Sequence, residues 1–233
     1  HQGKPQVQIT LIQCRPLGTI KESVYLLPQN VPLKDQIFSG KSVVSGGSVQ
    51  NVHYILYVPP EAYFSIPNSA ERNKLERAIG KLNAALADET FICVGPGRWG
   101  TSNPDLGVHV DYGDIYNAKA LVELTGGPIG IPDEPSLGTH FFQDLLEGQI
   151  YPIAVNLSKD KFQREFFEAS PNHLSDWITP EAGLETRLRL ILVSDASPNS
   201  HLDLVIDDAT GQALAFLVHE REISSEGRQV IVP

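Results

Sequence analysis

The chain of 233 residues has no methionine, only two cysteines and no cluster of basic residues. Acidic residues outnumber basic residues by 28 to 18, which gives a net charge of −10. Because nucleic-acid binding depends on clustered positive charge, this composition excludes a nucleic-acid partner. No apolar run approaches the roughly 18 residues of a membrane-spanning helix, so we expect no membrane segment. Without an initiator methionine, the chain is expected to be a piece of a longer protein.

The scarcity of cysteine also bears on redox state and compartment. Cys14 and Cys93 each lie in an apolar, strand-like run, and they lack the spacing of metal ligands. Two cysteines are too few for a disulfide scaffold, so we expect two reduced, buried thiols in a cytoplasmic protein. A disulfide between Cys14 and Cys93 is left open.

Helical and strand-like patterns are mixed along the chain without a strict βαβ alternation. The clearest helix covers residues 68–88, with Asn68 as N-cap, Glu71 three residues later and apolar residues at intervals of three and four. Residues 158–169 indicate a second amphipathic helix. This mixture predicts an α+β fold with a mixed, largely antiparallel sheet and a few packed helices.

Two regions are especially rich in strand-like runs. Residues 41–60 predict two short strands about a Ser-Gly-Gly-Ser turn at residues 45–48. Residues 186–219 contain three apolar runs, which we interpret as a small meander.

Composition and pattern divide the chain into four parts. Residues 1–17 form a strand-like segment, and residues 18–40 carry two prolines and little helical period, which is typical of a linker. Residues 41–220 are expected to form the α+β domain, and residues 221–233 a tail.

The segment "LIQCRP", residues 11–16, closely resembles the end of the ATP-grasp nucleotide-binding domain in the pyruvate phosphate dikinase and phosphoenolpyruvate synthase family. In that family a glutamine near the ATP-bound metal and an arginine facing the phosphates close the last strand. The resemblance implies these roles for Gln13 and Arg15, and it makes residues 1–17 the end of an upstream ATP-grasp domain. The alternative is a plain strand in which Arg15 makes a surface ion pair.

Three later stretches resemble the C-terminal region of proteins named phosphoenolpyruvate-synthase-like. They are "GPGRWGTSNPDLGVHV" at residues 95–110, "SLGTHFFQDL" at 136–145 and "DWITP" at 176–180. The resemblance implies ATP and Mg²⁺ for the full-length protein, with the upstream domain as partner. The chain lacks the dikinase threonine-serine-histidine-alanine motif and the long C-terminal barrel, so we expect it to be inactive alone.

The glycine-rich stretch is a candidate anion site. Gly95, Gly97 and Gly100 permit unusual backbone angles or close approach, and successive N–H groups can then point at an anion. Arg98 would add a charged fork and Trp99 a flat apolar face, which suits a phosphorylated or carboxylated small molecule. In the alternative, Trp99 fills the core and Arg98 stacks on it or pairs with an aspartate, Asp105 or Asp111.

His140 is the candidate catalytic residue. Thr139 or Ser136 can cap the helix that follows, which places His140 in a first turn where negative charge is stabilised. Gln143 lies three residues on and shares the same helix face. Three roles stay open for His140: phosphoryl acceptor, ligand contact, or a partly buried histidine bonded to a carbonyl.

A metal site built from His109 and Asp111 is poorly supported, because two ligands two residues apart do not define one, and we predict no metal site in this chain.

The sequence leaves two main hypotheses about function. In the first, the chain is the C-terminal part of an ATP-dependent phosphotransferase that binds the acceptor or relays a phosphoryl group. In the second, it is a non-catalytic module for a regulatory ligand or for homo-oligomer formation. A degenerate domain whose motifs preserve packing is a weaker third possibility.

Overall fold

A computed structural model describes residues 24–42, 44, 46–127 and 139–219. Within them the strands are β1 (Gln36–Lys41), β2 (Gly47–Val52), β3 (Tyr54–Tyr57), β4 (Phe91–Pro96), β5 (Ala120–Thr125), β6 (Tyr151–Asn156), β7 (Arg189–Leu192), β8 (Ser200–Ile206) and β9 (Gln212–His219). The helices are α1 (Pro60–Phe64), α2 (Ser69–Ala85), α3 (His140–Glu147), α4 (Arg164–Ala169), α5 (Leu174–Trp177) and α6 (Val193–Ala196), with a 3-10 turn at Tyr112–Asp114.

The nine strands of the described residues form one sheet in the order β2-β8-β9-β1-β6-β5-β4-β3-β7. Strands β3, β4, β5 and β6 are parallel neighbours, and the other strand pairs are antiparallel. The predicted α+β fold with a mixed, largely antiparallel sheet is therefore confirmed.

Apolar residues cover both faces of this sheet. Along β3, Leu56 belongs to a cluster with α2 and α3, whereas Ile55 and Tyr57 belong to a cluster with α4 and α6. Alternate residues of a strand point to opposite faces, so the sheet lies between two cores.

The antiparallel half of the sheet curls back on itself. A Cβ atom on Gly47 of β2 would lie 2.5 Å from the ring of Tyr151 on β6, although three strands separate them in the sheet.

The predicted linker boundary is wrong at its C-terminal end. Residues 36–40 belong to β1, which lies between β9 and β6 in the interior of the sheet. Ile37 and Phe38 are fully buried there. The prolines upstream masked this strand, because they indicate extended chain without revealing what it pairs with. Residues 1–17 and 221–233, the predicted ATP-grasp strand and tail, lie outside the described residues.

Strand partners also differ from the sequence expectations. The predicted C-terminal meander is correct for β8 and β9, but β7 pairs with β3 at the far edge of the sheet. The two strands expected about the turn at 45–48 do not pair with each other. Instead β1 contacts β9 and β6, and β2 contacts β8. Alternation of apolar residues predicts a strand but carries no information about its neighbour.

Local helix signals are more reliable. The side chain of Asn68 accepts the N–H of Glu71 at 3.0 Å, so α2 begins as predicted. The helix expected over 158–169 is shorter, since only Arg164–Ala169 is helical.

Cys93 is a free, buried thiol, as expected, and burial raises its pKa above the ordinary value. Cys14 lies outside the described residues. Among the described helices, none has the length and apolar character needed to cross a bilayer.

The interior position of β1 can be checked at Gly40. A Cβ atom there would lie 2.5 Å from the carbonyl oxygen of Ala154 and 2.9 Å from a methyl group of Val155. Gly40→Ala is expected to lower the free energy of unfolding by about 1–3 kcal/mol, because the sheet must shift to admit a methyl group. Gly113→Ala is the control, since a Cβ atom at Gly113 meets nothing within 4 Å. Equal urea midpoints for the two variants would contradict this placement of β1.

Candidate functional site

The candidate site lies where parallel strands β4 and β5 end. Strand β4 leads into the glycine loop, residues 97–107, and β5 leads into Gly126 and Gly127. Ligands of α/β sheets bind beside the carboxyl ends of parallel strands, where successive loops meet. The sheet therefore brings the glycine loop to a position that is suitable for binding.

Glycines are required in this loop because the backbone folds tightly on itself. Gly97 and Gly107 form an isolated bridge, and a Cβ atom on Gly97 would lie 2.0 Å from the carbonyl oxygen of Leu106. Gly97 and Gly100 have φ angles of 65° and 71°, which favour glycine. The hydroxyl of Tyr63 donates to the carbonyl of Gly107 and braces the loop. Burial raises the pKa of Tyr63 to about 12, so this donor keeps its proton.

The expected cradle of backbone N–H groups for an anion is not formed. All four N–H groups of residues 97–100 donate to acceptors within the domain. The pairs are Gly97 to the carbonyl of Leu124 at 2.8 Å, Arg98 to that of Leu106 at 2.9 Å, Trp99 to a carboxylate oxygen of Glu123 at 2.9 Å, and Gly100 to the carbonyl of Val108 at 3.0 Å. That part of the prediction was wrong, because the loop uses its own donors to hold its shape.

Trp99 fills the core and does not face a ligand. Trp99 is 1% exposed, and its indole packs directly over Gly95. A Cβ atom on Gly95 would lie 2.7 Å from the indole and 3.1 Å from Val58. Gly95 therefore provides room for the indole. The expectation that Trp99 offers a flat apolar face to a ligand is therefore wrong. The alternative, in which Trp99 fills the core, is correct.

Arg98 is half-buried in the loop between these fixed positions. The two carboxylates considered as its partners also have contacts of their own. Asp105 lies 3.5 Å from the guanidinium of Arg72, and Asp111 caps the 3-10 turn through the N–H of Asp114.

Glu123 is a residue that the sequence analysis missed. It is 6% exposed on β5, where its carboxylate accepts the N–H of Trp99. A buried carboxylate is costly unless it is hydrogen-bonded, so its presence marks a constraint on the loop. The available signal was a single acidic residue inside the apolar run of residues 120–125.

Helix α3 begins as the sequence predicted. The side chain of Thr139 accepts the N–H of Phe142 at 3.1 Å, which places His140 in the first turn. His140 and Gln143 are both exposed on this helix, and Gly148 ends it.

The glycine loop and the first turn of α3 touch. A Cβ atom on Gly100 would lie 2.3 Å from the ring of Phe141, the residue next to His140. The structure thus brings Gly100, at the end of the stretch 95–100, into contact with the start of α3. Gln13 and Arg15 lie outside the described residues.

His109, Asp111 and Asp114, which lie near the loop, each make a hydrogen bond that holds the backbone. The Nδ1 atom of His109 lies 2.8 Å from the carbonyl oxygen of Thr101, so this nitrogen is used to hold the loop. Oxygen atoms of Glu76, Asp111 and Asp114 lie within 4.8 Å of one another. Asp111 and Asp114 bond to each other's backbone N–H, which accounts for their proximity.

The stretch at residues 176–180 packs into the same core as the stretches at 95–110 and 136–145, which share its resemblance to phosphoenolpyruvate-synthase-like proteins. Trp177 makes an edge-on contact with Tyr54 at 5.4 Å between ring centroids. Trp99, Phe141 and Trp177 all belong to or pack against the cluster that lies between α2 and the sheet.

Comparison with models of protein families, with curated proteins and with solved structures found no match.

The contact between loop and helix can be measured with a double-mutant cycle. Gly100→Ala is expected to cost about 1 kcal/mol for the positive φ and about 1–3 kcal/mol more for the clash with Phe141. Gly183→Ala provides the backbone cost alone, because Gly183 has a φ of 81° and open space around it. In a Phe141→Ala background the clash should disappear while the backbone cost remains. An unchanged cost of Gly100→Ala in that background, measured by urea unfolding, would refute the contact.

Proposed function

We propose that this chain is the C-terminal domain of an ATP-dependent phosphotransferase similar to phosphoenolpyruvate synthase and pyruvate phosphate dikinase. In this proposal it binds a phosphorylated or carboxylated small molecule through Arg98, His140 and Gln143. Three resembling stretches of sequence support the relationship. The observation that carries the ligand site is the packing of Gly100 against Phe141, which joins the glycine loop to the first turn of α3.

Side chains must provide the binding, because the backbone N–H groups of residues 97–100 are already used. The guanidinium of Arg98 is a planar donor that matches phosphate and carboxylate oxygens. The exposed first turn of α3 adds the positive end of a helix of eight residues. His140 then donates to the ligand or accepts a phosphoryl group, and Gln143 donates from the same helix face.

ATP and Mg²⁺ would be held by the upstream ATP-grasp domain, which would supply the phosphoryl group. Gln13 and Arg15 are the residues that this chain would contribute there. The chain alone is therefore expected to be inactive towards ATP. A cytoplasmic location is part of the proposal, because both the nucleotide and the two reduced thiols fit that compartment.

A second candidate function is a non-catalytic module that docks on the upstream domain or on another copy of the chain. The burial of Trp99 and the use of the loop donors within the domain favour it. Exposed apolar side chains also precede β1: Val24 is 74% exposed, Leu26 66% and Leu33 75%. Such side chains are suited to a protein contact.

Titration calorimetry with phosphoenolpyruvate, which carries both a phosphate and a carboxylate, tests the ligand site. Arg98→Ala should weaken binding by about 1.5–3 kcal/mol, or roughly 10- to 150-fold, because a charged hydrogen bond is lost. Arg164→Ala is the control, since Arg164 pairs with Glu61 at 2.6 Å on another surface. Equal affinity in the wild type and Arg98→Ala, or no binding in either, would reject the site and favour the docking module.

The phosphoryl relay is tested in the full-length protein with ATP labelled at the β- or γ-phosphate. We expect an acid-labile label in the wild type that is lost in His140→Ala and retained in His53→Ala. His53 is the matched control, because it is also exposed but lies beside Glu89, at 3.2 Å. Label on no histidine would exclude the relay and leave His140 as a ligand contact only.

A further inference from the structure

A cavity of about 550 Å³ lies away from the glycine loop, on the other face of the sheet. Its walls come from the turn before β1, helix α4, helix α6 and the end of β9. The residues used below are Lys34, Asp35, Glu165, Asp195, Ser197 and His219. A volume of this size falls within the range of small-molecule sites.

Four side chains form a chain of hydrogen bonds at this cavity. The Oγ atoms of Ser197 and Ser200 are 3.1 Å apart, and Ser200 Oγ lies 2.7 Å from Nδ1 of His219. On the other side of the ring, Nε2 of His219 lies 3.0 Å from a carboxylate oxygen of Asp35. The chain runs hydroxyl, hydroxyl, imidazole, carboxylate. The hydroxyl, imidazole and carboxylate of an activated serine nucleophile are all present, with one further hydroxyl added at the end that faces the cavity.

The proton positions in this chain follow from the chemistry of its members. An ionised Asp35 only accepts, so Nε2 of a neutral His219 carries the ring proton. Nδ1 then presents a lone pair, and Ser200 donates its proton to it. The oxygen of Ser200 is left to accept the proton of Ser197. The donors of all three hydrogen bonds therefore point in one direction, from Ser197 towards Asp35, so that Ser197 can pass its proton along the chain.

Several features build this arrangement from distant parts of the chain. Asp35 is 6% exposed, and its carbonyl oxygen accepts the N–H of Leu217 on β9. Ser200 and His219 are directly opposed on β8 and β9. Asn199, with a φ of 54°, turns the chain so that Ser197 and Ser200 meet. The hydrogen bond between Ser200 and His219 would by itself only fasten β8 to β9. The contact with Asp35 also fixes the tautomer of the imidazole.

We propose that Ser197 is the nucleophile of a hydrolytic site for small carboxylic esters, with Ser200 and His219 as proton relay and Asp35 as the group that orients His219. Ser197 lines the cavity, whereas Ser200 is 6% exposed behind it. The substrate is uncharged or cationic, because among the described residues of the cavity wall three carboxylates outnumber the one ammonium, that of Lys34. The carboxylates are those of Asp35, Glu165 and Asp195.

The reaction balances with water as the only co-reactant. Ser197 Oγ bonds to the carbonyl carbon of the ester, its proton passes to Ser200, and the proton of Ser200 passes to Nδ1 of His219. The tetrahedral adduct breaks its bond to the alcohol oxygen, which takes a proton from Ser200 while Nδ1 of His219 returns its proton to Ser200. Water then attacks the acyl group on Ser197 by the reverse sequence, giving the acid and the free serine.

A fluorophosphonate probe tests the proposal on the whole 233-residue chain, with the labelled residue located by peptide mass spectrometry. We expect label on Ser197, none in Ser197→Ala, and labelling about a hundredfold slower in Ser200→Ala and His219→Asn. Asp35→Asn should slow it by a comparable factor, because an amide that donates to Nε2 leaves the ring proton on Nδ1, where it blocks transfer from Ser200. Ser194→Ala is the matched control, because Ser194 is an exposed hydroxyl on helix α6, which ends at the residue before Ser197.

Each result has a defined meaning. Label on Ser200 would overturn the assignment of the nucleophile, and no label in the wild type would overturn the site. A labelling rate unchanged in both His219→Asn and Asp35→Asn would overturn the relay. Thermal unfolding of every variant separates loss of reactivity from loss of structure, and Asp35→Asn keeps the shape of the carboxylate if Ser200→Ala does not fold.

Discussion

The hydrogen bond from the N–H of Trp99 to the buried carboxylate of Glu123 is the interaction on which the glycine loop depends. Removing a carboxylate from water costs several kcal/mol, so Glu123 is tolerated on β5 only while donors are held against it. The indole of Trp99 occupies the space left by Gly95, which prevents the loop from moving away from that carboxylate. The loop is thereby fixed from inside the protein, and its glycines serve close packing of the backbone.

This constraint decides which kind of ligand contact is possible there. A loop whose first four N–H groups already donate to neighbouring carbonyls and to Glu123 cannot also wrap a phosphate with them. Contact must come from side chains, and the exposed first turn of α3 is placed beside the loop by the packing of Phe141 on Gly100. The proposed anion site would therefore consist of one arginine on a loop held by internal hydrogen bonds, beside the start of a helix.

The elements that the sequence predicted well are those determined by neighbours in the chain. The start of α2 at Asn68 and that of α3 at Thr139 depend on side chains three residues from the amides they cap. Strand partners depend on residues far apart, which is why the interior position of β1 and the pairing of β7 with β3 were missed. Within the site, the contact of Gly100 with Phe141 and the role of Glu123 likewise required the fold.

The same reasoning explains why the cavity beside His219 could not be found from the sequence. Asp35 and His219 are 184 residues apart, and neither belongs to a recognisable motif. Their meeting follows from β1 and β9 being neighbours in the sheet, so it depends on the very strand that was taken for a linker. The glycine loop and this cavity belong to different apolar clusters on opposite faces. Since the described residues of the two regions share no side chain, the chemistry proposed at one does not depend on that proposed at the other.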